Sequence, residues 1–271
     1  MPNPSIFTSV INSYLPEPHA TLLNGIIFGI STKTSPAFYQ ELKVVGLLHI
    51  VVLSGINITL LAAIVTALTI PLGKKASIFI TIVVIVLFIL FVGAQPPIVR
   101  AGFMGVLSLI AILYGRRNMA LYGLILSAIF VGIFWPQWLK TVSFQLSYGA
   151  TLGIILFGKT APLRATASSW ESIRSTLWKE IKPSIAAQIF TAPLIFFYFK
   201  QISIISIVAN VAVAWVIPPL MVFGFLTAIL GKMSFGLGLI PSYICFILLH
   251  YIILVVDFLS KVPFAFFDFS H

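Results

Sequence analysis

The chain has 271 residues, 60% of them hydrophobic and 8% charged, with a formal net charge of +10. A soluble domain carries roughly 25% charged residues, so this composition cannot clothe a surface against water and leaves a membrane protein. The apolar runs are long and continuous, as in "ASIFITIVVIVLFILFVG" at 76–93, which excludes a transmembrane β-barrel with its alternating segments of about ten residues. The predicted fold class is all-α, a polytopic transmembrane helical bundle of about 8 spans with one or two broken helices. In a soluble protein the basic excess would point to nucleic acid; here basic loops are first a topology signal. The single Cys245 excludes an intrachain disulfide and a cysteine-based metal cluster and is expected to be a small core hydrophobe.

Residues 1–45 form an N-terminal segment ahead of the membrane domain assigned to 46–271. The first 32 residues hold no Lys or Arg, so no cleavable signal peptide is expected. "PEPHATLLNGIIFGI" is too short to span and is expected at the interface or packed on the bundle. "SPAFYQELKVVGLLH" reads as a helix start, with Ser35 as N-cap and Pro36 at the first helical position.

Candidate spans follow at 47–70, 76–93, 97–114, 119–136, 142–158, 184–199, 202–230 and 236–259. The seventh is too long and carries "IPPL" at 217–220, which predicts a break or a strong kink. An amphipathic loop helix is expected at 159–183, with Trp170, Ile173, Leu177, Trp178 and Ile181 on one face and Glu171, Arg174, Lys179 and Glu180 on the other. Ten basic residues (Lys74, Lys75, Arg116, Arg117, Lys159, Arg164, Arg174, Lys179, Lys182 and Lys232) fall in the loops after the odd-numbered spans. Five (Lys33, Lys43, Lys140, Lys200 and Lys261) lie on the other side. That asymmetry places the first set in the cytoplasm and both termini outside; if span seven is two separate crossings, the last loop and the C-terminus change sides.

Polar groups inside the spans are costly, roughly 2.5 to 3.5 kcal/mol for an ionisable side chain, and they cluster in four places. "GLLHIVVLSGINITLL" (46–61) carries His49, Ser54, Gly55 and Asn57. Ser54 and Asn57 share a helix face and Gly55 permits close approach or unwinding. "AQPPIVRAGF" opens a helix with Pro96 and Pro97 and places Arg100 near its start, against the helix dipole; the arginine either snorkels or offers paired donors to a phosphate. "SFQLSYGATLGIIL" (143–156) holds Gln145, Ser147, Tyr148 and Thr151 beside a Gly149–Gly153 packing motif. The last stretch carries Gln188, Thr191 and Pro193, then Asn210 ahead of Pro218 and Pro219. These residues either line a common polar interior or glue helices together.

The sequence resembles the ComEC competence family over about residues 20–265. The resemblance rests on "HIVVLSGIN", close to the family's His-x(4)-Ser-Gly-x-His with Asn57 in place of the second histidine, on "PIVRA", on "FQLSYGATLGI", and on the succession Gln188, Pro193, Phe199, Asn210, Pro218. It implies a multi-pass protein of the inner (cytoplasmic) membrane: a channel importing single-stranded transforming DNA in natural competence. The path would be shaped by His49, Ser54, Gly55, Asn57, Arg100, Gln145, Ser147, Gln188 and Asn210. The implied partners are single-stranded DNA, membrane lipid, an outer DNA receptor, a separate nuclease and a cytoplasmic DNA motor. Fuller members add an OB-like and a metallo-β-lactamase-like domain. Neither lies in this sequence, and His19, His49, His250 and His271 are far apart, so strand degradation is expected from another protein. No enzymatic activity, metal or cofactor is expected. A small-molecule secondary transporter is the alternative, since broken helices with midplane amides suit it too. An intramembrane serine hydrolase would require Ser54 and His250 in contact.

Overall fold

The computed structural model describes residues 5–30, 35–48, 55–115, 120–158, 169–203, 205–262 and 266–268. In chain order its helices are α1 (Ser5–Tyr14), α2 (His19–Phe28), α3 (Pro36–Val45), α4 (Gly55–Thr69), α5 (Lys74–Val92), α6 (Pro96–Leu113), α7 (Ala120–Phe134), α8 (Val142–Phe157), α9 (Ser169–Phe199), α10 (Ser206–Ala214), α11 (Ile217–Met233) and α12 (Phe235–Ser260). Two short strands, β1 (Gln201–Ser203) and β2 (Phe266–Asp268), pair antiparallel with Ile202 opposite Phe267. The fold is the expected all-α bundle.

Among the described residues, four helical segments are long and apolar enough to cross a membrane: Lys74–Val92, Pro96–Leu113, Ile181–Tyr198 and Phe235–Ser260. A fifth crossing is available if α10 and α11, bent by 54°, count as one span. The break falls at Trp215–Val216, so Pro218 and Pro219 lie in the first turn of α11, where a missing N–H costs nothing. The expected count of about eight is not reached by length. At 1.5 Å per residue the 15 residues of α4 and of α7 reach only about 22 Å, short of a hydrocarbon core of about 30 Å.

Helices from the two ends of the chain build the larger core. Ile11, Leu22, Leu23, Ile26 and Ile27 pack with Val213, Leu220, Met221, Cys245, Leu249 and Val256. α2 sits at its centre, and all ten of its residues are buried. Of the two placements expected for this segment, packing within the bundle is the one observed, and the core runs through residue 45 without a seam. Cys245 is buried beside Thr227. α11 and α12 form a hairpin turned by Ser234 alone. Tyr14 of α1 locks onto its tip: the ring stacks on Phe235 at 4.7 Å and the hydroxyl donates to the Phe235 carbonyl at 2.8 Å. Gly231 and Gly238 make room, since a Cβ would stand 2.7 Å from Tyr14 Cε2 and 2.5 Å from its Oη.

The middle of the chain forms a second, smaller core of Ile58, Leu61, Ile85, Phe88, Ile98 and Ala101, and Phe225 touches both cores. Between α4 and α5 four hydroxyls interlock, Thr66 with Thr81 at 3.1 Å and Thr69 with Ser77 at 2.8 Å. α8 and α9 form a tightly packed antiparallel pair. The loop helix expected at 159–183 is not separate: residues 159–168 lie outside the described residues, and from Ser169 one 31-residue helix continues through Pro183 and Pro193. A proline deletes one donor without severing the helix where the freed carbonyl finds another partner.

Gly153 lies so close to α9 that a Cβ would overlap the Ala186 carbonyl, whereas one on Gly105 would meet only Ile85 at 3.9 Å. Gly153→Val should therefore destabilise the protein by about 1–3 kcal/mol through overpacking. Gly105→Ala should stay within about 0.5 kcal/mol of the parent. Thermal unfolding in detergent compares the two.

Candidate functional site

The residues singled out in the sequence fall at three separate nodes. The first is the amino end of α4, wedged between α2 and α6. Gly55 is the seat of the Arg100 side chain, and a Cβ there would collide with Arg100 Nη2. Two residues on, Asn57 is 2% exposed and donates from Nδ2 to the carbonyl of Ile26 at 2.5 Å. Ile26 belongs to the last turn of α2, whose final four carbonyls have no partner within the helix. Asn57 is thus a helix cap delivered from another helix. His49 and Ser54 lie outside the described residues.

The second node is Arg100 itself. α6 begins at Pro96 after an extended Gln95, which aims the first turns of the helix into the bundle. The guanidinium crosses Gly55 and its Nη1 donates to the Ser147 carbonyl of α8 at 2.7 Å. Thr151 Oγ1 donates to the same carbonyl at 2.9 Å. Arg100 does not snorkel; it bridges three helices. Its Nε is buried without a hydrogen bond, and so is the hydroxyl of Tyr148, which stacks on Phe144 at 4.0 Å and lies near Arg100 and Ser127. Two unsatisfied donors therefore meet in one place, although buried polar groups are nearly always paired.

The third node joins α9 to α10. Gln188 Nε2 donates to Ser206 Oγ. Ser206 Oγ donates to the Ser203 carbonyl at 3.1 Å, and Ser203 Oγ donates to the carbonyl of Val44 in the last turn of α3 at 2.7 Å. Gln145 lies apart from all three nodes, where its Oε1 accepts from the Tyr198 hydroxyl at 2.8 Å within the α8–α9 pair. Asn210 is half-buried on α10 and its side chain makes no hydrogen bond with the described residues. The structure thus unites Gly55, Arg100 and the Ser147 backbone, and leaves Gln145, Gln188 and Asn210 at other places.

Four participants escape a reading of the sequence. Tyr198, Ser203 and Ser206 complete bonds whose other halves were visible. Tyr251 caps α10 by donating to the Ala212 carbonyl at 3.2 Å. The hydroxyls of Thr66, Thr69, Ser77 and Thr81 were legible as pairs three and four residues apart on either side of "IPLG".

The family model described as Competence protein matches residues 26–271. The chain belongs to the Competence protein family. Among curated proteins it is similar to ComE operon protein 3 of Bacillus subtilis (strain 168), at 27% identity over 205 residues. That match takes in 74% of this chain and 25% of the relative, so the chain spans about a quarter of that protein's length. No solved structure matches. All three nodes fall within the matched region.

At the first node the cap makes a clear forecast. Asn57→Leu removes the donor and leaves a carbonyl buried in hydrocarbon, at a cost of about 1–3 kcal/mol. Asn57→His restores a donor and should recover more than half of that loss. Melting temperatures of the purified variants in one detergent measure both.

Proposed function

We propose that this chain forms the membrane part of a competence DNA-uptake channel, passing a single strand inward, and that Arg100 is the cation the strand meets within the bundle. The observation that carries this reading is the Arg100 side chain, held in the interior by one neutral carbonyl with its Nε unsatisfied beside the Tyr148 hydroxyl. A guanidinium binds phosphate through paired, charge-assisted hydrogen bonds roughly twice as strong as those to a neutral carbonyl. A passing phosphate can displace Ser147, take Nε and Nη together, and release them to the next phosphate. Tyr148 offers a further donor and, with Phe144, an aromatic face for a base. One cation suits transit; several in a row would hold the strand. Family membership and the "PIVRA" and "FQLSYGATLGI" segments, which supply Arg100 and Ser147, support the same reading. In this reading the described bundle contributes the passage, and its partners are an outer DNA receptor, a cytoplasmic motor and a nuclease.

A secondary transporter is the second reading, and the 54° break between α10 and α11 favours it, since carriers build midplane sites on discontinuous helices. Entry of fluorescent single-stranded DNA into proteoliposomes decides between the two. The channel reading expects entry by the parent and a loss of about tenfold or more for Arg100→Gln, which keeps polarity but forfeits the charge-assisted bonds. Arg100→Lys should fall in between, since it keeps the charge and loses the fork. Unchanged entry in Arg100→Gln would remove Arg100 from the path. Entry equal to that of empty vesicles under every condition, including an imposed membrane potential, would favour the carrier.

A further inference from the structure

We propose that the groove between α10 and α12 is a lipid site, and that its ligand is phosphatidylethanolamine, a zwitterionic phospholipid with a primary ammonium headgroup. The inference stands apart from what passes through the bundle. The groove has a volume of about 360 Å³ and is bordered by Val208 and Ala212 on α10 and by Tyr251, Leu254 and Phe258 on α12. Its walls open outward, with Val208 58% exposed, Leu254 54% and Phe258 71%. α12 is a crossing helix, so an apolar recess on its outer side stands in hydrocarbon and takes an acyl chain.

The groove follows the course such a chain would take. β1 leads into α10, β2 follows α12, and the two strands pair, so the Ser206 end of α10 and the Ser260 end of α12 share one rim. Tyr251 lies nine residues from Ser260, about 14 Å and nearly half the thickness of a hydrocarbon core. It stands at the deep end, where its hydroxyl is spent on the Ala212 carbonyl at 3.2 Å and its ring meets Trp215 at 5.3 Å. The groove therefore runs from the rim toward the midplane. Any acyl chain suits it, and selection falls to the headgroup.

The rim carries that chemistry. Lys261 follows Leu254 by seven residues and Phe258 by three, which sets it over the same face of α12. Its Nζ donates to both carboxylate oxygens of Asp257, at 2.7 and 2.8 Å, and both side chains reach the surface. A cation at this end of a helix suits the dipole and snorkels to water; a carboxylate in the last turn opposes the dipole. Among the four described crossing segments, Phe235–Ser260 alone holds an acid, Asp257. An exposed pair with Lys261 is worth little and does not account for it. What the pair leaves unused matches a phosphoethanolamine group. Two of the three lysine N–H donors are taken, and the third is free for the lipid phosphate. The remaining lone pairs of Asp257 accept from the lipid ammonium. A choline headgroup has no N–H to give, and a glycerol headgroup offers Asp257 no cation.

The test measures lipid binding to the purified full chain in detergent by native mass spectrometry, with lipids of one acyl composition. Phosphatidylethanolamine should bind about tenfold more tightly than phosphatidylcholine. Along the series of N-methylated intermediates the largest step should come with the last methyl group, which removes the last N–H. Asp257→Asn should bring phosphatidylethanolamine down to the level of phosphatidylcholine. Val208→Trp, which fills the groove from an exposed position, should weaken both lipids by about tenfold. Equal binding of the two by the parent, or tighter binding of phosphatidylglycerol, would overturn the headgroup assignment. Unchanged binding in Val208→Trp would overturn the groove as the site. The methylation series uses the parent chain, so a folding defect in either variant leaves the headgroup assignment decided by that series.

Discussion

A backbone carbonyl at the end of a helix buried in hydrocarbon has no water to turn to, and the architecture of this protein follows from that constraint. Three helices of nine or ten residues, α2, α3 and α10, end inside or against the bundle. Each has a carbonyl of its last turn capped by a side chain from another element: Ile26 by Asn57, Val44 by Ser203, and Ala212 by Tyr251. Short helices are otherwise poorly suited to a membrane, because they cannot carry both ends to water. The caps let the chain insert them anyway, and in doing so bind the two ends of the sequence to its middle. Asn57 ties α4 to α2, and Ser203 ties the α9–α10 connection to α3.

The same constraint explains why the bundle is uneven. Every residue of α2 is buried, while the Ile181–Tyr198 crossing buries 6% of its length and Pro96–Leu113 buries 22%. A helix whose buried carboxyl end is capped by a side chain, as Ile26 of α2 is by Asn57, can occupy the centre. A helix that reaches water at both ends has no need of protein neighbours on every side, and α5 and α9 turn much of their apolar surface outward. The α8–α9 pair is therefore held by contacts along itself, through Gly149 and Gly153 against Phe190, Leu194 and Ala186. It joins the rest at a few polar points, chiefly Arg100 on Ser147 and Gln188 on Ser206.

Much of this was legible in the residues and some was not, for physical reasons. Composition and continuous apolar runs state the helical membrane class, and "IPPL" marks the break before α11 because two adjacent residues without N–H groups belong at a helix start. The glycines of "SYGATLGI" announce close packing. What a sequence does not state is which way a polar side chain turns. Ser54 and Asn57 sit three apart and suggested one polar face; Asn57 in fact reaches the end of α2, where it donates to the Ile26 carbonyl. Burial of "HATLLNGIIF" is equally silent, since an apolar segment too short to span looks the same at an interface as in a core. The described helices do not account by length for about eight spans, because apolar length in sequence includes turns: the run at 119–136 yields a helix of 15 residues, Ala120–Phe134.

The polar contacts also differ in how easily they can be given up, and that difference separates scaffold from machinery. Removing Asn57, Ser203 or Tyr251 strands a helix-end carbonyl, so these bonds must hold for as long as the protein is folded. Ser147 is mid-helix: its carbonyl already accepts from the N–H four residues on, as any interior carbonyl does, and from Thr151 Oγ1. Losing Arg100 costs Ser147 little. The cost falls on the guanidinium, which any anion can satisfy better than a carbonyl does. Arg100 is thus a polar group whose present partner is readily replaced, which is why the proposed function assigns it the phosphate contact. Gly55, by having no side chain, leaves the room that the Arg100 guanidinium occupies against α4.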